Sequence, residues 1–111
     1  MKLCYIAGPY RPTPNQKARG YEPEVAIAIN RQRARETASL VAELGYAPVV
    51  PHLMSSGIED IGDDQYWLNF TMEILLRCEC YALAHDWAAS EGTRLEIEAA
   101  QANGLYLVTL K

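Results

Sequence analysis

The chain lacks both familiar nucleotide-binding signatures. It has no GxxxxGK[ST] loop and no GxGxxG turn after its first apolar run, which argues against ATP-driven chemistry and dinucleotide redox chemistry. No run approaches membrane-spanning length, so no membrane partner is expected. The opening run Met1 to Ala7 is too short for a secretory signal and leads straight into Gly8-Pro9. Basic residues are in the minority, ten against fourteen acidic, for a net charge of −4. That balance disfavours a nucleic acid polymer as partner, although a local cluster such as Arg11 with Lys17 and Arg19 suffices for a small phosphorylated ligand. Cysteine is scarce: three residues, an odd number, do not make a disulfide framework and fit a reducing cytoplasm. Cys78 and Cys80 are too close together for the usual metal-hairpin spacing, and His85 is the only histidine near them. Buried structural thiols are the simpler reading, and no metal or cofactor is expected. Internal repeats and low-complexity tracts are absent as well.

What is present reads as one α/β domain over residues 1–111, near the small end of the common size range. Lys2 to Ala7 suits a buried first strand stopped by Gly8-Pro9. A polar, proline-bearing loop follows to about Tyr21. Pro23 is placed for a helix start, and Ile27, Ala34, Ala38, Val41 and Leu44 recur at helical spacing until Gly45. Tyr46 to Val50 reads as a second strand closed by Pro51. Asp63 or Asp64 can cap a helix through Trp67, Phe70, Ile74 and Leu75. Cys80 to Ala84 reads as a third strand, Ser90 to Gly104 as a capped helix, and Leu105 to Leu110 as a last strand. This alternation predicts a small flavodoxin/Rossmann-like three-layer sandwich, with a parallel sheet of four to five strands and helices on both faces. Ligands in such sheets sit at the carboxyl ends of the strands, near a topological switch point. That edge collects Gly8, Pro9, Tyr10 and Arg11, then Pro51 and His52, then Asp86, Trp87 and the segment Ser90 to Glu96.

Glu96 is the leading candidate for chemistry. At about 100° per residue, Glu91, Arg94, Glu98 and Gln101 share one arc of its helix, and Glu96 falls roughly opposite, among Gly92, Ala99, Ala100 and Asn103. Burying a carboxylate without a partner is costly and raises its pKa, and such groups concentrate at functional sites. The plain alternative is an ion pair with an arginine from elsewhere, such as Arg11 or Arg31. The backbone N–H groups of Gly92 and Thr93, with the Ser90 hydroxyl, can hold an anion at the helix start. A carboxylate beside an anion pocket suits attack on a sugar anomeric carbon. Trp87, Tyr10, Tyr66 and Trp67 offer flat surfaces for a base, with ordinary core packing as the alternative for each.

Tyr5-Ile6-Ala7-Gly8-Pro9-Tyr10-Arg11, combined with Ser90-x-Gly92-Thr93-x-x-Glu96-x-x-x-Ala100, resembles the nucleoside 2-deoxyribosyltransferase superfamily, which includes deoxynucleoside 5'-monophosphate N-glycosidases. The order Cys78, Trp87, Ser90, Gly92, Glu96 is most similar to a poorly characterised, often phage-encoded subgroup. The resemblance implies that Glu96 is a nucleophile attacking C1', that the Tyr5 hydroxyl orients it, and that Gly8 lets the backbone approach the ligand. It further implies that Arg11, Ser90 and Gly92 hold a 5'-phosphate. Nucleoside transferases tend to carry an aspartate where Ser90 stands, so Ser90 favours monophosphates.

The chain departs from the superfamily's pattern at Thr71, where members place the aspartate that supports the leaving base. Asp63, Asp64 or Asp86 are the candidate substitutes, and Glu79 occupies a second acidic position. The expected activity is cleavage of the N-glycosidic bond of a 2'-deoxynucleoside 5'-monophosphate. The alternatives are deoxyribosyl transfer between free bases and a non-catalytic nucleotide-binding module. The resemblance also implies a homodimer or higher even assembly.

Overall fold

The computed structural model describes residues 1–110. Four strands form one parallel sheet in the order β2-β1-β3-β4: β1 Leu3–Ala7, β2 Ala47–Val49, β3 Cys80–Leu83 and β4 Tyr106–Leu107. Five helices connect or flank them: α1 Pro14–Ala18, α2 Pro23–Glu43, α3 Pro51–Met54, α4 Asp64–Leu75 and α5 Glu91–Ala102. The chain is therefore an α/β domain with an all-parallel sheet, compatible with a small Rossmann-like three-layer sandwich.

The layers follow from side-chain alternation along β1. Cys4 and Ile6 face one way and pack with Ala34 and Val41 of α2, Cys80 and Ala82 of β3, and Val108. Tyr5 and Ala7 face the other way and pack with Leu75 of α4, Tyr81 of β3 and Ala100 of α5. The chain leaves β1 toward β2 on one side and later returns to place β3 on the other, so the strand order reverses between β1 and β3. Their carboxyl ends, tied by the Ala84 N–H to the Ala7 carbonyl at 2.8 Å, form the switch point where a parallel sheet leaves its crevice.

The caps fall where the residue types place them. Asp63 caps α4 by accepting from the Tyr66 N–H, Ser90 caps α5 by accepting from the Thr93 N–H, and Gly45 (φ 92°) turns the chain out of α2 in the left-handed conformation that glycine tolerates.

Three expectations are corrected. The segment from Arg11 to Tyr21 contains α1, because Thr13 and Gln16 form a reciprocal capping box around Pro14. Pro51 does not simply close β2 but starts the single turn α3. The buried stripe of α2 is Ala26, Asn30, Ala34, Thr37 and Val41; of the expected apolar set Ala34 and Val41 lie on it and Ala38 packs beside it, whereas Leu44 is 56% exposed. Small residues on that stripe let the helix axis approach the sheet, and the two polar ones are hydrogen-bonded: Asn30 to the carbonyls of Tyr10 and Arg11 and to Gln16, Thr37 to the Arg33 carbonyl.

Candidate active site

Tyr5 sits in the middle of β1, fully buried, with its ring under α4 and α5. Its hydroxyl donates to Glu96 Oε2. Glu96 is half-buried one and a half turns into α5, while Glu91, Arg94, Glu98 and Gln101 are exposed on the other arc. Removal from water pushes the Glu96 carboxyl from its ordinary 4.5 up to about 7, and the hydrogen bond from Tyr5 opposes that rise. The Tyr5 hydroxyl is itself held well above its ordinary value, first by burial and then by the Glu96 charge, with Thr71 acting in the opposite sense. Thr71, from α4, is therefore within reach of the same hydroxyl, and its own hydroxyl donates to the Leu68 carbonyl.

Neither arginine named as an alternative partner pairs with Glu96. Arg11 pairs with Asp64 on the surface. Arg31 donates to the His52 carbonyl and the Tyr10 hydroxyl, each at 3.2 Å, and lies 3.4 Å from Glu59. No charged group contributes to the Glu96 shift, and among the described residues it makes no ion pair. A half-buried carboxylate with one tyrosine for company is tuned to change protonation near neutrality.

The start of α5 lies in the same layer. The Ser90 hydroxyl accepts from the Thr93 N–H at 3.2 Å, which leaves the preceding N–H groups of the helix start free of intrahelical partners. Gly92 has no steric reason to be glycine: a Cβ there meets only Ser90 Oγ at 3.9 Å. Glycine within a helix forgoes up to about 1 kcal/mol relative to alanine, and packing within the chain does not account for this residue.

Gly8 is the opposite case. A Cβ there would lie 2.6 Å from Ala84 Cβ, so the residue is fixed by the contact between the ends of β1 and β3, with no need to invoke a ligand. Its carbonyl meets His52 Nε2 at 2.8 Å. His52 is buried and its Nδ1 has no partner. Burial lowers its pKa most, the nearby Arg31 charge lowers it further, and the carbonyls of Gly8 and Pro9 oppose both. The ring is accordingly neutral, with Nε2 the protonated nitrogen. His52 thereby clamps the turn after β1, a role the sequence suggested only by placing it at the same edge.

The remaining candidates spread around this edge. Pro9 is buried and Tyr10 half-buried, with the Tyr10 ring tilted against His52 and the Arg31 guanidinium 5.5 Å from its centroid. Asp86 takes the left-handed conformation (φ 62°), alone among the described non-glycine residues. Its carboxylate turns toward α2, 3.3 Å from Arg33 and 3.6 Å from His85. Trp87 is exposed in the short turn before Ser90. Tyr66 and Trp67 pack on each other and on Phe70, with Trp67 Nε1 donating to the Glu59 carbonyl. The proposed acid substitutes are engaged elsewhere: Asp63 in its cap, Asp64 with Arg11, Asp86 with Arg33. Glu79 accepts from the Leu3 N–H at the amino end of the sheet. Among the described residues no group of three or more His, Cys, Asp or Glu is arranged to hold a metal. The cysteines are free and buried, and among the described residues no helix is long and apolar enough to cross a membrane.

Fold and site together define a parallel α/β domain with a tyrosine–carboxylate pair beside its switch point and a capped helix start in the same layer. The chain belongs to the family described as Domain of unknown function (DUF7768), whose model matches residues 2–109. No curated protein and no solved structure matches it.

Proposed function

We propose that the protein cleaves the N-glycosidic bond of 2'-deoxynucleoside 5'-monophosphates, with Glu96 as nucleophile. The observation that carries this reading is the Tyr5–Glu96 hydrogen bond: a carboxylate without a cation, raised to about 7 by burial and aimed by a buried phenol. A Glu96 oxygen bonds to C1' as the glycosidic electron pair leaves with the base, which takes its proton from water. The deoxyribosyl ester is then opened at C1' by water, or by a second base in a transfer reaction, and the carboxylate is regenerated. The Tyr5 hydroxyl holds one carboxylate oxygen so that the other faces the sugar. Ser90, Gly92 and Thr93 take the 5'-phosphate at the helix start, and Arg11, exposed and paired only with Asp64, exchanges that surface carboxylate for the phosphate. Trp87 and Tyr10 flank the base. A homodimer, which the sequence resemblance implies, accompanies this reading.

One observation favours a second reading, a nucleotide-binding module without turnover. Thr71 stands beside Tyr5, and no other carboxylate perturbs Glu96, so no acid is at hand for the leaving base. Intact-mass measurement of acid-quenched mixtures separates the two. An adduct of deoxyribose 5-phosphate on wild type and not on Glu96→Gln supports the glycosidase. Saturable binding with neither adduct nor free base supports the module.

A further inference from the structure

The carboxyl edge carries a concavity that shares no residue with the Tyr5–Glu96 pair. It encloses about 600 Å3 between the α1 segment, the amino-terminal half of α2 and the end of β3, and Arg19, Tyr21, Ile29, Arg33, His85 and Asp86 are among its walls. It lies on the α2 side of the sheet, the side that Cys4 and Ile6 face, whereas Tyr5 points to α4 and α5.

The walls are held by a buried polar network. Thr13, Gln16 and Asn30 are nearly inaccessible to water. The Gln16 amide donates to Asn30 Oδ1 at 2.8 Å, Gln16 Oε1 accepts from the Thr13 N–H at 2.9 Å, and Asn30 Nδ2 reaches the carbonyls of Tyr10 and Arg11 at 3.1 Å. Such a network is favourable only when fully satisfied, and here it fixes α1 against α2. Gly20 (φ 77°) then turns the chain beyond Arg19.

The charges in the cavity are unbalanced. Two guanidinium groups and one imidazole face one carboxylate. Among the described residues Arg19 is in no ion pair. Arg33 meets Asp86 through Nη1 alone, at 3.3 Å, which leaves the rest of its planar fork unused. Paired guanidinium forks match the oxygens of a phosphate. Ile29 and the Tyr21 ring add apolar wall, and the volume falls in the range of small-molecule sites. The net charge of −4 disfavours a polyanionic polymer there.

We propose that this cavity binds a small organic phosphate monoester, held by Arg19 and Arg33, at a site separate from Glu96. Asp86 occupies Arg33 when the site is empty and yields part of that contact to the incoming phosphate.

The test is a two-dimensional amide NMR titration of the full chain with inorganic phosphate, using chloride at matched ionic strength as control. Saturable shifts are expected at Arg19, Tyr21, Arg33 and His85. Arg19→Ala, an exposed change that leaves the fold intact, is expected to weaken them by about tenfold, and Ser90→Ala is expected to leave them unaltered. Arg33→Lys, which keeps the charge and loses the fork, is expected to weaken them as well. Shifts confined to residues 90–93, shifts reproduced by chloride, or shifts indifferent to Arg19→Ala would overturn the proposal. None of these outcomes depends on whether Glu96 releases a base.

Discussion

Glu96→Gln separates burial of a carboxylate from every other property of the site. The group ionises at an ordinary 4.5 in the unfolded chain and at about 7 in the folded one, so between those values the folded state binds more protons. Stability therefore falls as pH rises through this window, and the whole penalty is present above it. The difference corresponds to roughly 3 kcal/mol, and about 2 kcal/mol remains once the water that still reaches the half-buried carboxylate is allowed for. Glutamine cannot ionise, yet it keeps a carbonyl oxygen for the Tyr5 hydroxyl, so the variant mimics the protonated wild type. Thermal unfolding followed by circular dichroism should give nearly equal midpoints near about pH 4.5. Toward about pH 8.5 the variant should become the more stable protein by on the order of 8 °C. Other titrating groups, His52 included, affect both proteins alike and cancel in the difference. Parallel curves across the whole range would refute the account of Glu96 as an unpartnered buried carboxylate.

The two glycines of the site should respond in opposite ways. Gly8→Ala forces a Cβ against Ala84 and should cost about 1–3 kcal/mol in urea unfolding, while the Cβ of Gly92→Ala meets only Ser90 Oγ, in ordinary contact at 3.9 Å, and should stabilise by up to about 1 kcal/mol. If a phosphate lies on the α5 start, Gly92→Ala should also weaken monophosphate binding by calorimetry, and unchanged binding would remove the phosphate from that position. For His52, whose pKa is lowered from 6.5, the folded state resists protonation, so its contribution to stability is complete above that value and is lost as pH falls through the lowered one. Imidazole 15N shifts should report a ring neutral and protonated at Nε2, with a midpoint below 6.5; a ring that titrates at its ordinary value would contradict the clamp on Gly8.

The fold was legible because each element carries its own local signal: an apolar strand ending in Gly8-Pro9, Pro23 at the start of α2, Gly45 at its end, and Asp63 and Ser90 as caps. Hydrophobic periodicity found Ala34 and Val41 of α2 and passed over the polar residues buried with them. The stripe of α2 that faces the sheet is small and partly polar, and Asn30 and Thr37 keep the helical spacing that should have revealed it. The candidate site was legible in its motif and not in its partners. Glu96 could be placed on the inner arc of α5, but its pairing with neither Arg11 nor Arg31 depends on tertiary contacts between residues far apart in the chain. The Arg33–Asp86 pair likewise joins residues 53 apart, and the left-handed turn that aims Asp86 at α2 has no residue-type signature beyond the tolerance of aspartate for that conformation.

The most direct measurement is chromatographic detection of free base after incubating the protein with each 2'-deoxynucleoside 5'-monophosphate and its unphosphorylated counterpart, with and without an acceptor base, using Glu96→Ala as the control. The account predicts base released from the monophosphates by wild type and not by the variant. Equal release by both proteins, or binding without release in every mixture, would contradict a Glu96-dependent glycosyl cleavage.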